Sequence, residues 1–282
     1  MGVLTFMKYL VLSILIIFGL SLNGCSNQNH HHNDSSPKKE YHQTNKENTN
    51  NQMNKTNNEN ANNQNNKTTD VPKNVIYRTK QSNAIRTVSH PDVITVLVNK
   101  KYFLPKNYVP KDLIYPNVSF IFKEKLEKRK MRKEAAIALK KLFAGAKKDH
   151  IYLSGVSGYR SYATQKVLFN RYVKEDGYVN ARKYSALPGS SEHQSGLAID
   201  VSNSTGKCAA TSCFANTKEA KWLDKNSSNY GFIIRYPKGK EQITGYKYEP
   251  WHIRYVGVTT AKQIKKRNLT LEEYLNVYPV SK

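Results

Sequence analysis

The sequence predicts an α+β domain in which helices flank a small, largely antiparallel sheet. Three observations carry that expectation. Short runs rich in β-branched and other apolar residues recur at 151–157, 197–201, 231–237 and 251–256, and helical patterns separate them in mixed order rather than in regular alternation. The later runs lie near one another along the chain, as neighbouring antiparallel strands do. A change of composition near residue 74 marks off the part of the 282-residue chain that can build a core.

Residues 1–24, "MGVLTFMKYLVLSILIIFGLSLNG", place one lysine ahead of a largely apolar run at 9–22 and end on small residues. A charged start, a short apolar middle and a small-residue end describe an export signal, since a spanning helix needs about 20 apolar residues. The alternative is an uncleaved anchoring helix. "LNGC" at 22–25 resembles a bacterial lipobox, which implies cleavage before Cys25, lipid on its sulfur and a protein tethered at the extracytoplasmic face of the cell membrane. Residues 25–73 are dominated by Asn, Lys, Gln, Thr and Ser. Ordering such a segment costs entropy with no apolar burial in return, so it reads as a disordered linker, with the histidines at 30–32 as part of a solvated tail.

A formal net charge of +24 and a pI of 9.8 call for a polyanionic neighbour or a solvated basic surface. Export and the lack of any groove-reading motif argue against nucleic acid and leave anionic lipid headgroups and anionic cell-wall polymers. Cys25 belongs to the anchor. Cys208 and Cys213, in "GKCAATSCF", are either free thiols or a small disulfide loop suited to an oxidising compartment. A four-cysteine zinc site is excluded by number.

Along the folded part, residues 74–282, "DVITVLVNK" at 92–100 predicts a strand, and the prolines of "VPKDLIYPNV" predict a loop. From Met131, apolar residues at 131, 135, 138, 139, 142, 143 and 146 predict a helix with lysines on its far face. A strand at 150–157 ends in a glycine turn. A helix follows at 161–177, with Ser161 as N-cap and Gly177 as its stop. A short helix is expected at 180–186 and another around 216–230, then strands at 231–237 and 251–256 and closing helices at 259–267 and 270–277.

The stretch "GSSEHQSGLAIDVSN" at 189–203 sets the chemical question, because Asp200 lies inside an apolar strand. An unpaired buried carboxylate is costly. Alternation puts Leu197, Ile199 and Val201 on one face, with Ala198 and Asp200 on the other. His193 would be roughly 23 Å away along an extended chain, but a reversal at 194–196, permitted by Gly196, lets it converge with Asp200. In "YEPWHIRYV" at 248–256, Pro250 starts a bend that lets Glu249 and His252 face one cavity, with Trp251 and Ile253 behind. Two histidines and one carboxylate with a position left open form the ligand set of a catalytic zinc, Zn2+, and a further carboxylate nearby serves as general base. Taken singly, a histidine like His193 is more often a surface or capping residue and one like His252 a satisfied core residue; their joint occurrence with Asp200 favours the metal.

"SEHQSGLAIDV" and "EPWHIRYVG", preceded by "SGYRSYATQ", resemble the VanY-type zinc D-alanyl-D-alanine carboxypeptidases and the related bacterial L,D-carboxypeptidases. The pattern Ser-x-His-x6-Asp followed by Glu-x-x-His is met by Ser191, His193, Asp200, Glu249 and His252, and the resemblance spans roughly 92–267. It implies a Hedgehog/D-Ala-D-Ala-peptidase-like fold with the zinc in a cleft on the sheet. It further implies that His193, Asp200 and His252 bind the metal and that Glu249 activates water. Arg160 would stabilise the developing oxyanion, and Gln165 and Ser191 would hold the substrate's C-terminal end. Tyr159 and Trp251 are candidate cleft walls, or packing aromatics. The implied substrates are peptidoglycan stem peptides, with a D-Ala–D-Ala bond favoured over an L-residue–D-Ala bond. A non-catalytic wall-binding protein on the same scaffold is the competing reading.

Overall fold

The computed structural model describes residues 84–277. The expected signal segment, Cys25 and the linker lie outside the described residues.

Two short ladders precede the main sheet. Strand β1 (Arg86–Thr87) pairs in parallel with β2 (Tyr102–Phe103), and β3 (Leu113–Ile114) pairs antiparallel with β4 (Met131–Arg132). The main sheet contains β5 (Leu153–Ser157), β6 (Ala198–Asn203), β7 (Phe232–Ile234) and β8 (His252–Tyr255) in the order β5-β6-β8-β7, with every neighbouring pair antiparallel. The expected α+β class with a small antiparallel sheet is therefore what the chain adopts.

The register explains why β6 can carry an acid. Ile199 pairs with Ile253, while Asp200 pairs with His252 and Ala198 with Arg254, so one face is apolar and the other ionic. Leu197, Ile199, Val201 and Ile253 join Leu139 and Leu142 of α1 (Lys133–Lys148) and Leu223 of a later helix in one cluster. A second cluster joins Ile233 and Val256 to Ala261, Ile264 and Leu271 near the C-terminal end.

Helix α2 (Tyr162–Asp176) has the expected ends. The Ser161 hydroxyl accepts from the Thr164 backbone N–H, and Gly177, at φ 77°, stops the helix. Gly177 also opens α3 (Tyr178–Tyr184), so that helix begins two residues earlier than expected. The helix expected at 216–230 is α4 (Lys218–Asn226), capped by the Thr217 hydroxyl, with a 3-10 turn over Ser227–Tyr230. A one-turn helix α5 (Glu241–Thr244), then α6 (Val258–Lys266) and α7 (Leu271–Tyr274) complete the order. Among the described residues no helix is long and apolar enough to cross a membrane.

Two expectations fail. The segment 92–100 is not a strand, although Val96, Leu97 and Val98 are buried. The Arg254 guanidinium takes the carbonyls of Ile94 and Val96 at 2.9 and 2.8 Å, and a Val96 N–H to Val93 carbonyl turn bends the chain. Burial, rather than a ladder, accounts for its apolar composition. The helix expected from Met131 starts at Lys133, because the backbone N–H groups of Arg132 and Lys133 are bonded sideways to the carbonyls of Gly196 and Asp112.

Candidate active site and metal centre

His193 lies in a 3-10 turn, Glu192–Ser195, which Gly196 closes in the left-handed conformation at φ 68°. A side chain at Gly196 would also come within 2.9 Å of Leu113, so both backbone and space require glycine there. This turn is the reversal that brings His193 back over β6. Its Nδ1 lies 2.7 Å from the Gly158 carbonyl oxygen. A carbonyl only accepts, so Nδ1 carries the proton and Nε2 keeps its lone pair free. That Nε2 lies 3.4 Å from Asp200 Oδ2. Gly158 can approach so closely because it lacks a side chain; a Cβ there would be 2.5 Å from the Lys130 carbonyl oxygen.

His252 arrives by a β-turn with Pro250 in its second position, in which the His252 N–H donates to the Glu249 carbonyl at 3.2 Å. The turn sets Glu249 Oε2 3.9 Å from His252 Nδ1, and that nitrogen is 3.0 Å from Asp200 Oδ1. His193, Asp200 and His252 are all buried and offer ligand atoms within 4.8 Å of one another. Tetrahedral zinc, with bonds of about 2.0–2.1 Å, sets its ligand atoms about 3.3 Å apart. The three ligand atoms, within 4.8 Å of one another, are close enough for small shifts to gather them round such an ion, and the preset tautomer of His193 leaves Nε2 free to bind it.

Charge in the cluster is lopsided. Burial pulls the His193 imidazolium below its ordinary value, and Arg160 adds to this. Burial opposes ionisation of Asp200, yet the two imidazoles hold its carboxyl far below the usual carboxylate range. Burial likewise works against His252, but Asp200 and Glu192 raise it to about 9. Glu249 is pushed up to about 7 by burial, with His252 and Arg160 pulling the other way. A carboxyl that titrates near neutrality is suited to taking and returning a proton.

These groups face a cavity of about 410 Å³ whose lining includes Arg160, Ser191, Glu249 and Trp251. Arg160 is braced, with Nη1 donating to Gln165 Oε1 at 2.9 Å and Nη2 to Ser157 Oγ at 3.0 Å. Gln165 lies behind Arg160, its amide donating to the Ala186 carbonyl at 2.7 Å. Tyr159 is buried and is not part of the lining; its N–H donates to the Lys130 carbonyl. Cys208 and Cys213 are joined in a disulfide, and Ala210, Thr211 and Ser212 of the enclosed loop form part of the cavity wall.

The sequence reading missed Glu192. It is 1% exposed, and its Oε1 accepts from Arg235 Nε at 2.7 Å and Arg254 Nη1 at 2.6 Å. Arg235 is held in turn by both oxygens of Glu272, at 2.7 and 2.9 Å. The available signal was the arginine inside each of the apolar runs "GFIIRYP" and "WHIRYV", which required a buried acid elsewhere.

A metal-ligand cluster at the floor of a cleft on an antiparallel sheet, with a carboxylate and a braced guanidinium beside it, is peptidase architecture, and comparison with known proteins narrows it to the carboxypeptidases. VanY, D-alanyl-D-alanine carboxypeptidase, matches residues 128–258. The bifunctional D-Ala-D-Ala dipeptidase and D-Ala-D-Ala carboxypeptidase VanXYC of Enterococcus gallinarum is 37% identical over 183 residues, covering 63% of this chain and 91% of that one. YodJ of Bacillus subtilis (strain 168) is 51% identical over 195 residues, 69% of this chain and 71% of that one. The chain belongs to the VanY family. Among solved structures, the LdcB LD-carboxypeptidase is similar at a TM-score of 0.66 and 50% identity, over 71% of this chain and 93% of that one. A mutant of the vancomycin resistance D,D-pentapeptidase VanY in complex with Zn(II) is similar at 0.53 and 34% identity, over 65% and 99%.

Proposed function

We propose that the protein is a zinc carboxypeptidase that removes the C-terminal D-alanine from peptidoglycan stem peptides. The observation that carries this reading is the convergence of His193, Asp200 and His252 on one point, with Glu249 and Arg160 facing the same cavity. Zinc held by those three residues would polarise the scissile carbonyl and acidify a water molecule. Glu249 takes the proton from the attacking water and returns it to the leaving amine. Arg160, fixed by Ser157 and Gln165, presents its guanidinium where the carbonyl oxygen gains negative charge. Ser191 donates to the substrate's terminal carboxylate, and Trp251 walls the cleft.

Stem peptides end either in D-Ala–D-Ala or, once shortened, in an L-centre–D-Ala bond. The sequence motifs are shared by enzymes of both bonds, and the resemblance to the VanY type leans slightly toward D-Ala–D-Ala. The 50% identity to an LD-carboxypeptidase, against 34% to a VanY D,D-pentapeptidase, weighs toward the shortened tetrapeptide. We place the protein at the outer face of a bacterial membrane, tethered through Cys25, on the strength of the "LNGC" motif and the export-type segment before it.

The test incubates purified protein with synthetic stem pentapeptide and tetrapeptide, with and without a chelator, and follows mass. Loss of one alanine that the chelator abolishes supports the proposal, and the faster substrate gives the bond. Loss from neither peptide in zinc-loaded protein would leave a wall-binding role on the same scaffold.

A further inference from the structure

We propose that Glu192 is a positioning residue for the metal centre, holding the His252 ring so that Nδ1 faces Asp200 and His193. This rests on the reading of the cluster as a metal site. The geometry supporting it lies on the side of His252 away from Asp200, at Nε2 rather than Nδ1. His252 Nε2 and Glu192 Oε2 are 3.6 Å apart, both sealed from solvent, and neither has a hydrogen-bond partner. Leaving a buried polar atom unsatisfied is costly. Two such atoms that face one another, one able to donate and one only to accept, are each other's natural partner, and a displacement of about half an ångström would join them.

Glu192 cannot turn away from that task. Both short ionic contacts fall on its other oxygen, Oε1, from Arg235 and Arg254, and leave Oε2 aimed at the imidazole. Each arginine is itself anchored, Arg235 by Glu272 and Arg254 by the backbone carbonyls of Ile94 and Val96. The carboxylate is thus clamped from two directions at residues that are 0–1% exposed. Tyr236 also packs against the His252 ring, with centroids 5.0 Å apart. A network needed only for stability would be as well served by apolar residues of the same volume. An oxygen reserved for the nitrogen opposite a metal-binding atom fixes both tautomer and ring orientation, and such partners are worth 10–100-fold in metal affinity.

The test measures zinc affinity of the full chain by competition with a chromophoric chelator, alongside thermal melting of the metal-free protein. Glu192→Gln sets an amide N–H against His252 and is expected to bind zinc about 10–100-fold more weakly. Glu192→Asp keeps the charge for both arginines but withdraws it by one methylene. It is expected to melt closer to wild type than Glu192→Gln while still losing zinc affinity. Equal zinc affinity in a folded variant overturns the proposal, whatever its melting temperature. If neither variant folds, imidazole nitrogen NMR of the zinc-loaded wild type decides: a solvent-protected proton on His252 Nε2 supports the proposal, and its absence overturns it. Wild type that binds no zinc removes the metal reading itself, and is recognised before any variant is made.

Discussion

Asp200 and His252 are directly opposed residues of neighbouring antiparallel strands, and the register of the β6–β8 ladder sets Oδ1 and Nδ1 3.0 Å apart. Two of the three candidate ligands are therefore fixed by backbone pairing rather than by loop conformation, which is the more rigid way to hold a site. Asp200→Ala is expected to abolish stoichiometric zinc retention while leaving the sheet intact, read by elemental analysis and far-ultraviolet circular dichroism. Full metal content in that variant would contradict the assignment of Asp200 as a ligand.

Glu249→Gln keeps the shape of the turn and removes the proton acceptor. Metal content should match wild type, while alanine release from stem peptide falls by about 10²–10⁴-fold. Equal loss of metal and activity would instead make Glu249 a ligand.

Arg160 uses the two arms of its fork at once, one on Gln165 and one on Ser157. Lysine offers a point charge and cannot keep both bonds. Arg160→Lys is expected to lower kcat by about 10²–10³-fold, the range for loss of a donor to a developing oxyanion. Zinc affinity should be unchanged, and steady-state kinetics with a chelator titration separate the two.

The Cys208–Cys213 bridge closes a small loop whose residues wall the cavity. Removing it in the double serine variant is expected to cost about 2 kcal/mol by loop entropy, seen in denaturant unfolding. KM for stem peptide should rise several-fold, with kcat nearly unchanged, because the loop touches the cavity wall and not the reacting groups.

Glu273 closes a capping box on α7, accepting from the Thr270 N–H at 2.7 Å and from Lys240 at 3.0 Å. Burial opposes its ionisation, but these donors lower its carboxyl below the ordinary value. A depressed folded value means that its contribution is complete above the unfolded value of about 4.3 and disappears as pH falls through the folded one. Wild type should exceed Glu273→Ala in stability by on the order of 1 kcal/mol at pH 7, and the gap should close under strongly acidic conditions. A gap that persists there would assign the loss to packing.

Local signals were the legible ones. Ser161 and Gly177 announce both ends of α2 because capping is a matter of a few adjacent residues. Asp200, His252 and Glu249 stood out because strand alternation and a proline bend are equally short-range. The segment 92–100 misled because its carbonyls are claimed by Arg254, about 160 residues away in the chain, and no local pattern reports that. Glu192 went unread for a related reason: an acid beside a histidine in a serine-rich turn has the look of a surface residue until its two arginines are placed. Tyr159 has the position of a cleft residue in the motif, but it is buried away from the cavity lining.

Arg254 and Arg235 are completed from near opposite ends of the described residues, by carbonyls at 94 and 96 and by the carboxylate at 272. The stretch matching VanY, 128–258, contains both guanidinium groups and neither of those distant anchors. A recombinant fragment trimmed to the matching stretch would leave both guanidinium groups sharing the one Glu192 carboxylate, an uncompensated positive charge in the interior; breaking the Arg235–Glu272 pair alone costs about 3–5 kcal/mol, so a stable fragment must reach from before Ile94 to beyond Glu272.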